Sequence, residues 1–282
     1  MRPPAEGIEG VRRRAAAARK EGRAIGLVPT MGALHAGHGA LIERARAECG
    51  FVVVSVFVNP IQFDRKDDYD RYPRTLETDL DFCGERGVDV VFAPSAAEMY
   101  PEPLHTSVDV AGVSERLCGE FRPGHFRGVA TVVTKLFNIV MPDVAYFGEK
   151  DAQQLAVIQT MVRDLNMPVE IRPVATVREP DGLALSSRNQ RLSAEERRAA
   201  PVLYRALLAA AGRIAAGANA AEAKRAALDA IAKEPLARVE YLEVVDPRSM
   251  QPVENTAGPV RIAVAAWFGS TRLIDNVMCE RR

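Results

Sequence analysis

Val28-Pro29-Thr30-Met31-Gly32-Ala33-Leu34-His35-Ala36-Gly37-His38 decides the fold. Ala24 to Val28 is a short apolar run after an Arg-rich stretch, and Leu41, Ile42 and Ala45 then recur at helical spacing among Glu and Arg. The order is strand, small-residue turn, then a helix beginning near His38. A helix starting there directs N–H groups and a partial positive charge at whatever lies before it, and Gly32, Gly37 and Gly39 clear side chains from the approach. A phosphate suits such a mouth. Spacing alone also fits His35 and His38 as surface or capping histidines. Zinc fits less well, because the metalloprotease helix needs His at i and i+4 with an adjacent Glu. Imidazole N–H groups can donate to phosphate oxygens and strengthen those bonds as pyrophosphate departs.

This His-x-Gly-His pattern after a first strand resembles the nucleotide-binding signature of class I aminoacyl-tRNA synthetases and related nucleotidylyltransferases, which implies both the fold and adenylate chemistry.

The chain's 282 residues allow one large domain and a smaller one. Lys plus Arg and Asp plus Glu both number 37, so nothing in the balance points to nucleic acid or an acidic membrane surface. The opening Met-Arg-Pro-Pro-Ala-Glu-Gly lacks the apolar core of a signal peptide and no run reaches membrane-spanning length, so a cytoplasmic location without membrane or nucleic-acid partners is expected. Cys49, Cys83, Cys118 and Cys279 are far apart, form no Cys-x-x-Cys pair and are expected to stay reduced.

In chain order, residues 7–22 read as an Arg- and Ala-rich helix closed by Gly22, its Arg run a solvated face. Phe51 to Val58 is a continuous β-branched and aromatic run, the pattern of a parallel strand buried on both faces. It ends at Asn59-Pro60-Ile61-Gln62-Phe63, where polar groups stand at the carboxyl edge at which open α/β sheets bind ligands. A helix over 74–86 and a strand over Val88 to Ala93 continue the alternation. Asp67, Asp68 and Asp70 read as a solvated loop whose spacing matches no calcium loop; Asp79, one turn into the next helix, is the candidate magnesium ligand. Val129, Val132, Val133, Leu136, Phe137 and Val140 form one helical stripe despite their β-branching, and the first turn of that stripe is placed to wall a pocket. Ala145-Tyr146-Phe147 is a short strand, followed by Gly148-Glu149-Lys150-Asp151 and another helix, so Lys150 stands just before a helix start with Asp151 and Gln154 on its first turn. Val169 to Val177 reads as a last strand pair or an extended segment. Pro180-Asp181-Gly182 is a turn, and Leu185-Ser186-Ser187-Arg188-Asn189 a loop whose hydroxyls and guanidinium suit triphosphate oxygens. A capping box at Ser193 to Glu196, an Ala-rich helix over 220–232, and strands over Arg238 to Val245 and Val260 to Phe268 then replace the βα alternation.

These stretches together resemble the pantoate–β-alanine ligase family (AMP-forming). The match is carried by Val28 to His38, Phe57 to Phe63, Tyr72-Pro73-Arg74-Thr75, Met99-Tyr100-Pro101, Arg122 to Gly128, Phe147 to Leu155 and Val177 to Asn189. The resemblance implies an α/β fold: a Rossmann-like parallel-sheet nucleotide-binding domain over 1–180 and a smaller α+β C-terminal lid domain over 181–282, usually in a homodimer. It implies ATP-dependent condensation of (R)-pantoate with β-alanine through pantoyl adenylate, with Mg2+ accompanying ATP as substrate. Met31, Gly32, Ala33, Leu34, His35, Ala36, Gly37 and His38 are expected to contact ATP, as are Gly148, Glu149, Lys150 and Asp151. Val177, Leu185, Ser186, Ser187 and Arg188 complete that set. Gln62 and Gln154 are expected to hold pantoate, Gln62 also lying where β-alanine arrives; Asn59, Val132 and Val133 are further candidates for that pocket. The family's assignment makes His38 the general acid, with His35 and Lys150 steadying phosphate charge.

Overall fold

The computed structural model describes residues 2–280. Backbone contacts divide the chain into two compact units, each discontinuous in sequence. One comprises the chain up to Val110, Arg122–Glu149 and Val157–Ala175; the other comprises Ala111–Phe121, Lys150–Ala156 and the chain from Thr176. The sequence reading places a single cut near residue 180.

As far as Val174 the elements alternate. They are β1 (Ala5–Glu6), α1 (Ile8–Lys20), β2 (Ile25–Thr30), α2 (Ala36–Glu48), β3 (Phe51–Val56), α3 (Lys66–Asp70), α4 (Leu76–Glu85) and β4 (Val90–Phe92). There follow α5 (Ala96–Met99), α6 (Cys118–Phe121), α7 (His125–Val140), β5 (Val144–Gly148), α8 (Ala152–Asp164) and β6 (Glu170–Val174). The six strands form one sheet in the order β1-β4-β3-β2-β5-β6, and every pairing is parallel. Strands succeed one another in opposite directions on the two sides of β2, so the topological switch lies at the carboxyl ends of β2 and β5, the position at which such sheets take ligands.

Burial explains the sequence pattern. Val52, Val53 and Val54 on β3 are fully inaccessible, because helices cover both faces of a parallel sheet. On one face Leu41, Ile42 and Ala45 of α2 and Leu80 and Cys83 of α4 close over Val28, Val54 and Val91. Burial pushes the Cys83 thiol up to about 12, which keeps it protonated and inert. Arg12, Arg13 and Arg14 on α1 are exposed, as a solvated face requires. Two features differ from expectation. A two-residue strand, β1, precedes the first helix and pairs with β4, and the acidic stretch at Asp67 is the short helix α3 rather than a loop.

The other unit holds α9 (Ala194–Ala199), α10 (Val202–Ala215) and α11 (Ala220–Ile231), then an antiparallel sheet of β7 (Ala237–Val245), β8 (Val260–Phe268) and β9 (Thr271–Cys279). The capping box is present, with Glu196 N donating to Ser193 Oγ at 3.2 Å and Ser193 N donating to Glu196 Oε2 at 2.8 Å. Ala206, Ala210, Ala223 and Ala227 are fully buried in a core with Ile262 and Phe268, so the alanine-rich composition serves close helix packing.

Helix α7 carries the valine stripe and begins at His125, four residues before it. Its Gly128 lies against the 3-10 turn Pro60–Gln62. A Cβ there would stand 2.4 Å from the Ile61 carbonyl oxygen and 2.7 Å from Gln62 Cα, both backbone atoms that cannot swing aside. Gly128→Ala should therefore destabilise the protein by about 2 kcal/mol through overpacking. Urea unfolding measures this, and an unchanged midpoint would show that the turn accommodates the methyl group.

Candidate functional site

The end of β2 is pinned to its neighbour. Thr30 Oγ1 donates to Ser55 O at 2.6 Å and accepts from Gly32 N at 3.1 Å. The chain then passes through two left-handed residues, Gly32 at φ +81 and Ala33 at φ +51. Ala33 N donates to Asp79 Oδ2 at 3.1 Å and Leu34 N to Asp79 Oδ1 at 2.8 Å, while Thr75 Oγ1 donates to Oδ2 at 3.2 Å. A side chain at Gly32 would meet Asp79 Oδ2 at 2.9 Å and Val56 Cγ1 at 3.0 Å, and one at Gly39 would meet Arg86 Nε at 2.9 Å. Both glycines thus make room for the protein's own groups rather than for a ligand, contrary to expectation.

This path delivers His35 to the N-cap of α2. Gly37 N donates to His35 Nδ1 at 3.1 Å, and His35 N donates to His38 Nδ1 at 3.3 Å, a reciprocal capping box built from two imidazoles. Their ring centroids are 4.1 Å apart. A nitrogen that accepts a hydrogen bond carries a lone pair, so each neutral ring keeps its proton on Nε2. The capping and phosphate readings are therefore compatible: Nδ1 caps the helix, and the cap leaves the ring proton on Nε2.

Asp79 was expected as a magnesium ligand. It is 1% exposed, and both carboxylate oxygens accept donors from the turn they support. Among the described residues no group of three or more His, Cys, Asp or Glu side chains is placed to hold a metal ion.

Polar groups at the end of β3 form a second cluster. Asn59 is 1% exposed; its Nδ2 donates to Gln62 Oε1 at 3.0 Å and to Gly128 O at 3.2 Å, and its Oδ1 accepts from Tyr100 OH at 2.8 Å. Both of its amide hydrogens are thus committed to acceptors of the protein itself. Gln62 is 7% exposed and its Nε2 lies 3.1 Å from Met31 Sδ, which joins the cluster to the histidine turn. His125 Nδ1 lies 2.8 Å from Gln62 O, and Arg122 Nη1 lies 3.3 Å from His125 Nε2. Guanidinium only donates, so Nε2 accepts and Nδ1–H holds the Gln62 carbonyl. Val132 and Val133 are buried on α7.

In the other unit Lys150 lies on the 3-10 turn Glu149–Asp151, with Nζ 3.6 Å from Asp151 Oδ1. Asn276 Nδ2 on β9 donates to Lys150 O at 2.9 Å. Of the two glutamines that follow, Gln153 is consumed structurally: Oε1 accepts from Cys118 N at 3.0 Å and Nε2 donates to Val113 O at 3.0 Å and Arg116 O at 2.6 Å. Gln154 is half-buried. Leu185 N donates to Val177 O at 3.0 Å, so these two expected site residues are paired across a hairpin. Arg178 anchors that hairpin through Asp275 at 2.7 and 2.9 Å, with its guanidinium 3.7 Å from the Tyr204 ring centroid. Ser187 and Arg188 lie on a 3-10 turn, Ser187–Arg191, that Ser186 caps by accepting from Arg188 N at 3.3 Å.

Tyr100, Arg122 and His125 stand in motifs read from the sequence without a role, and Asn276 in none. No sequence signal marks Asn276, because the polar pair Asp275-Asn276 interrupts the apolar pattern of its strand.

The family model described as pantoate-beta-alanine ligase matches residues 5–278. A pantothenate synthetase from Heliobacterium modesticaldum is 55% identical over 277 residues, covering 97% of this chain and 99% of that protein. The crystal structure of pantothenate synthetase from Thermus thermophilus is similar with a TM-score of 0.92 and 52% identity, covering 98% of each chain. That of pantoate-beta-alanine ligase from Francisella tularensis, complexed with beta-gamma ATP and beta-alanine, has a TM-score of 0.81 at 35% identity and covers 99% of this chain and 98% of that one.

Removing the Asp79 carboxylate leaves two turn N–H groups without acceptors. Asp79→Ala should lower stability by about 3 kcal/mol and disorder the turn that positions His35. Denaturant unfolding combined with the backbone amide spectrum of residues 31–38 tests this; a normal spectrum for those residues would show that Asp79 does not hold them.

Proposed function

The chain belongs to the pantoate–β-alanine ligase family, and on that premise we propose that it condenses pantoate with β-alanine, with cleavage of ATP to AMP and pyrophosphate, through pantoyl adenylate. A carboxylate is a poor acylating agent. When the pantoate carboxylate oxygen attacks the α-phosphorus and pyrophosphate leaves, that oxygen becomes part of a good leaving group; the β-alanine amine then attacks the carbonyl, loses a proton and releases AMP.

The observation that carries this reading is the reciprocal capping of His35 and His38, which commits both Nδ1 atoms to backbone N–H groups. Each ring then offers Nε2–H to phosphate oxygens whose charge grows during attack, a preorganised arrangement that needs no rearrangement at the moment of reaction. Commitment of Nδ1 favours a hydrogen-bond donor role for His38 over that of an imidazolium acid. Lys150 supplies a full positive charge to the phosphates, and Met31 to His38, Gly148 to Asp151, Val177 and Leu185 to Arg188 make up the proposed ATP contacts. Gln62 and Gln154 supply amide donors to pantoate, with Val132 and Val133 as apolar contacts.

Mg2+ accompanies ATP in this reading. Asp79 does not fit as its ligand, being enclosed and engaged by donors, and no step is assigned to the ion. The proposal includes a homodimer in the cytoplasm; among the described residues no helix is long and apolar enough to cross a membrane.

Labelled pyrophosphate should exchange into ATP when pantoate is present and β-alanine absent, and oxygen labelled in the pantoate carboxylate should appear in AMP after a full turnover. Release of ADP with label in inorganic phosphate would mean an acyl phosphate instead and would overturn the reading. His38→Ala should lower turnover about 100- to 1000-fold with far less effect on thermal melting; near-normal turnover would remove His38 from the chemistry. Lys150→Ala should slow adenylate formation in a single turnover. A normal rate of that step with only amide formation impaired would assign the lysine to the second half-reaction.

A further inference from the structure

Asn59, Gln62 and Tyr100 form a chain of hydrogen bonds whose direction is dictated at one end. Two of its members are primary amides, whose oxygen and nitrogen ends have nearly the same shape and opposite hydrogen-bonding character. The Gly128 carbonyl can only accept. Facing it at 3.2 Å, Asn59 must present Nδ2, because the reversed amide would set oxygen against oxygen. The other Nδ2 hydrogen then points to Gln62, 3.0 Å away, so the Gln62 atom there must be the acceptor Oε1. Gln62 Nε2 is thereby turned away from Asn59 and, among the described residues, meets only the sulfur of Met31, a weak acceptor, at 3.1 Å.

Tyr100 closes the chain at its other end. Its hydroxyl is 2.8 Å from Asn59 Oδ1 and must donate, since that oxygen only accepts. Burial raises the phenol well above its ordinary range, so the proton stays in place at physiological pH. Its ring is held by Phe57, 6.2 Å between centroids, and by the Lys135 ammonium 5.3 Å above it.

We propose that Tyr100 is a positioning residue which, through Asn59, fixes the Gln62 amide with its N–H donors toward the substrate, matched to an oxygen acceptor of pantoate. The proposal rests on the reading that Gln62 binds pantoate. The pantoate carboxylate or hydroxyl oxygen replaces the Met31 sulfur as the stronger acceptor. Without the Tyr100 hydroxyl, Asn59 Oδ1 loses its donor and the polarity of both amides is held by Gly128 alone, so Gln62 also samples the orientation that sets its oxygen against the substrate's.

The test is initial-rate kinetics of the full-length enzyme as wild type, Tyr100→Phe, Gln62→Ala and the double variant, with direct pantoate binding by calorimetry. Tyr100→Phe keeps the ring and should fold, with a melting temperature lowered by the loss of the donor to the buried Asn59 Oδ1. It should raise the pantoate KM and Kd about tenfold, the size of one net hydrogen bond, while the ATP KM and kcat change less than about twofold. Gln62→Ala should raise the pantoate KM at least as much, and the double variant should be no worse than Gln62→Ala, because Tyr100 acts only through Gln62. A pantoate KM unchanged in Tyr100→Phe but raised in Gln62→Ala would overturn the relay and leave the Gln62 assignment standing. Multiplying effects in the double variant, or equal increases for ATP and pantoate, would likewise overturn it. A normal pantoate KM in Gln62→Ala would remove the Gln62 assignment and the relay with it.

Discussion

The enclosed carboxylate of Asp79 gives the turn after β2 its shape. A carboxylate removed from water requires donors, and the turn supplies two consecutive N–H groups, from Ala33 and Leu34, while Thr75 supplies a third donor. Those bonds hold Gly32 and Ala33 in the left-handed region, where Ala33 is strained and persists because its surroundings over-determine it. The turn's exit fixes His35 at the N-cap of α2, and the position of His38 one helical turn on follows. Every orientation argued for the two imidazoles descends from this arrangement, because a displaced turn moves the backbone N–H groups that define which ring nitrogen bears the proton.

A common scheme runs through both units. Imidazoles and carboxamides each have two ends of different character, and the protein settles their orientation with main-chain groups, which have only one. Gly37 N and His35 N do so for the two histidines, Gly128 O for Asn59, and the carbonyls of Val113 and Arg116 for Gln153. Side chains then transmit the decision outward, as Asn59 does to Gln62 Oε1. The side chains assigned to chemistry are thus the outer members of networks whose inner members are backbone.

The parts of this arrangement that follow chain periodicity were legible in the sequence. The stripe from Val129 to Val140 correctly predicts helix despite its valines, and the apolar run at Phe51 correctly predicts a parallel strand buried on both faces. What depends on long-range pairing was not. β1 is two residues long and exists by pairing with β4, and β9 is obscured because Asp275 and Asn276 break its alternation to hold Arg178 and Lys150. The same limit applies at the site. Asp79 reads as a metal ligand because its sequence shows a carboxylate near a nucleotide turn and cannot show that the turn's own N–H groups reach it first. The family resemblance points to Gln154, whereas the commitment of Gln153 beside it is visible only in the folded chain. Asn59 reads as a candidate substrate contact beside Gln62, and its enclosure by Tyr100 and Gly128 lies beyond any spacing rule.

The bond from Asn276 to the Lys150 carbonyl spans 126 positions, and it bears on how the protein is made. Polypeptides emerge from the ribosome amino end first and begin to organise as they emerge. The partners that shape the histidine turn all lie between Thr30 and Asp79 and are present early in synthesis. The turn bearing Lys150 gains the bond from Asn276 only after β9, which pairs with β8, has been translated. A nascent chain therefore has its histidine turn in place before the turn bearing Lys150 gains its bond from β9.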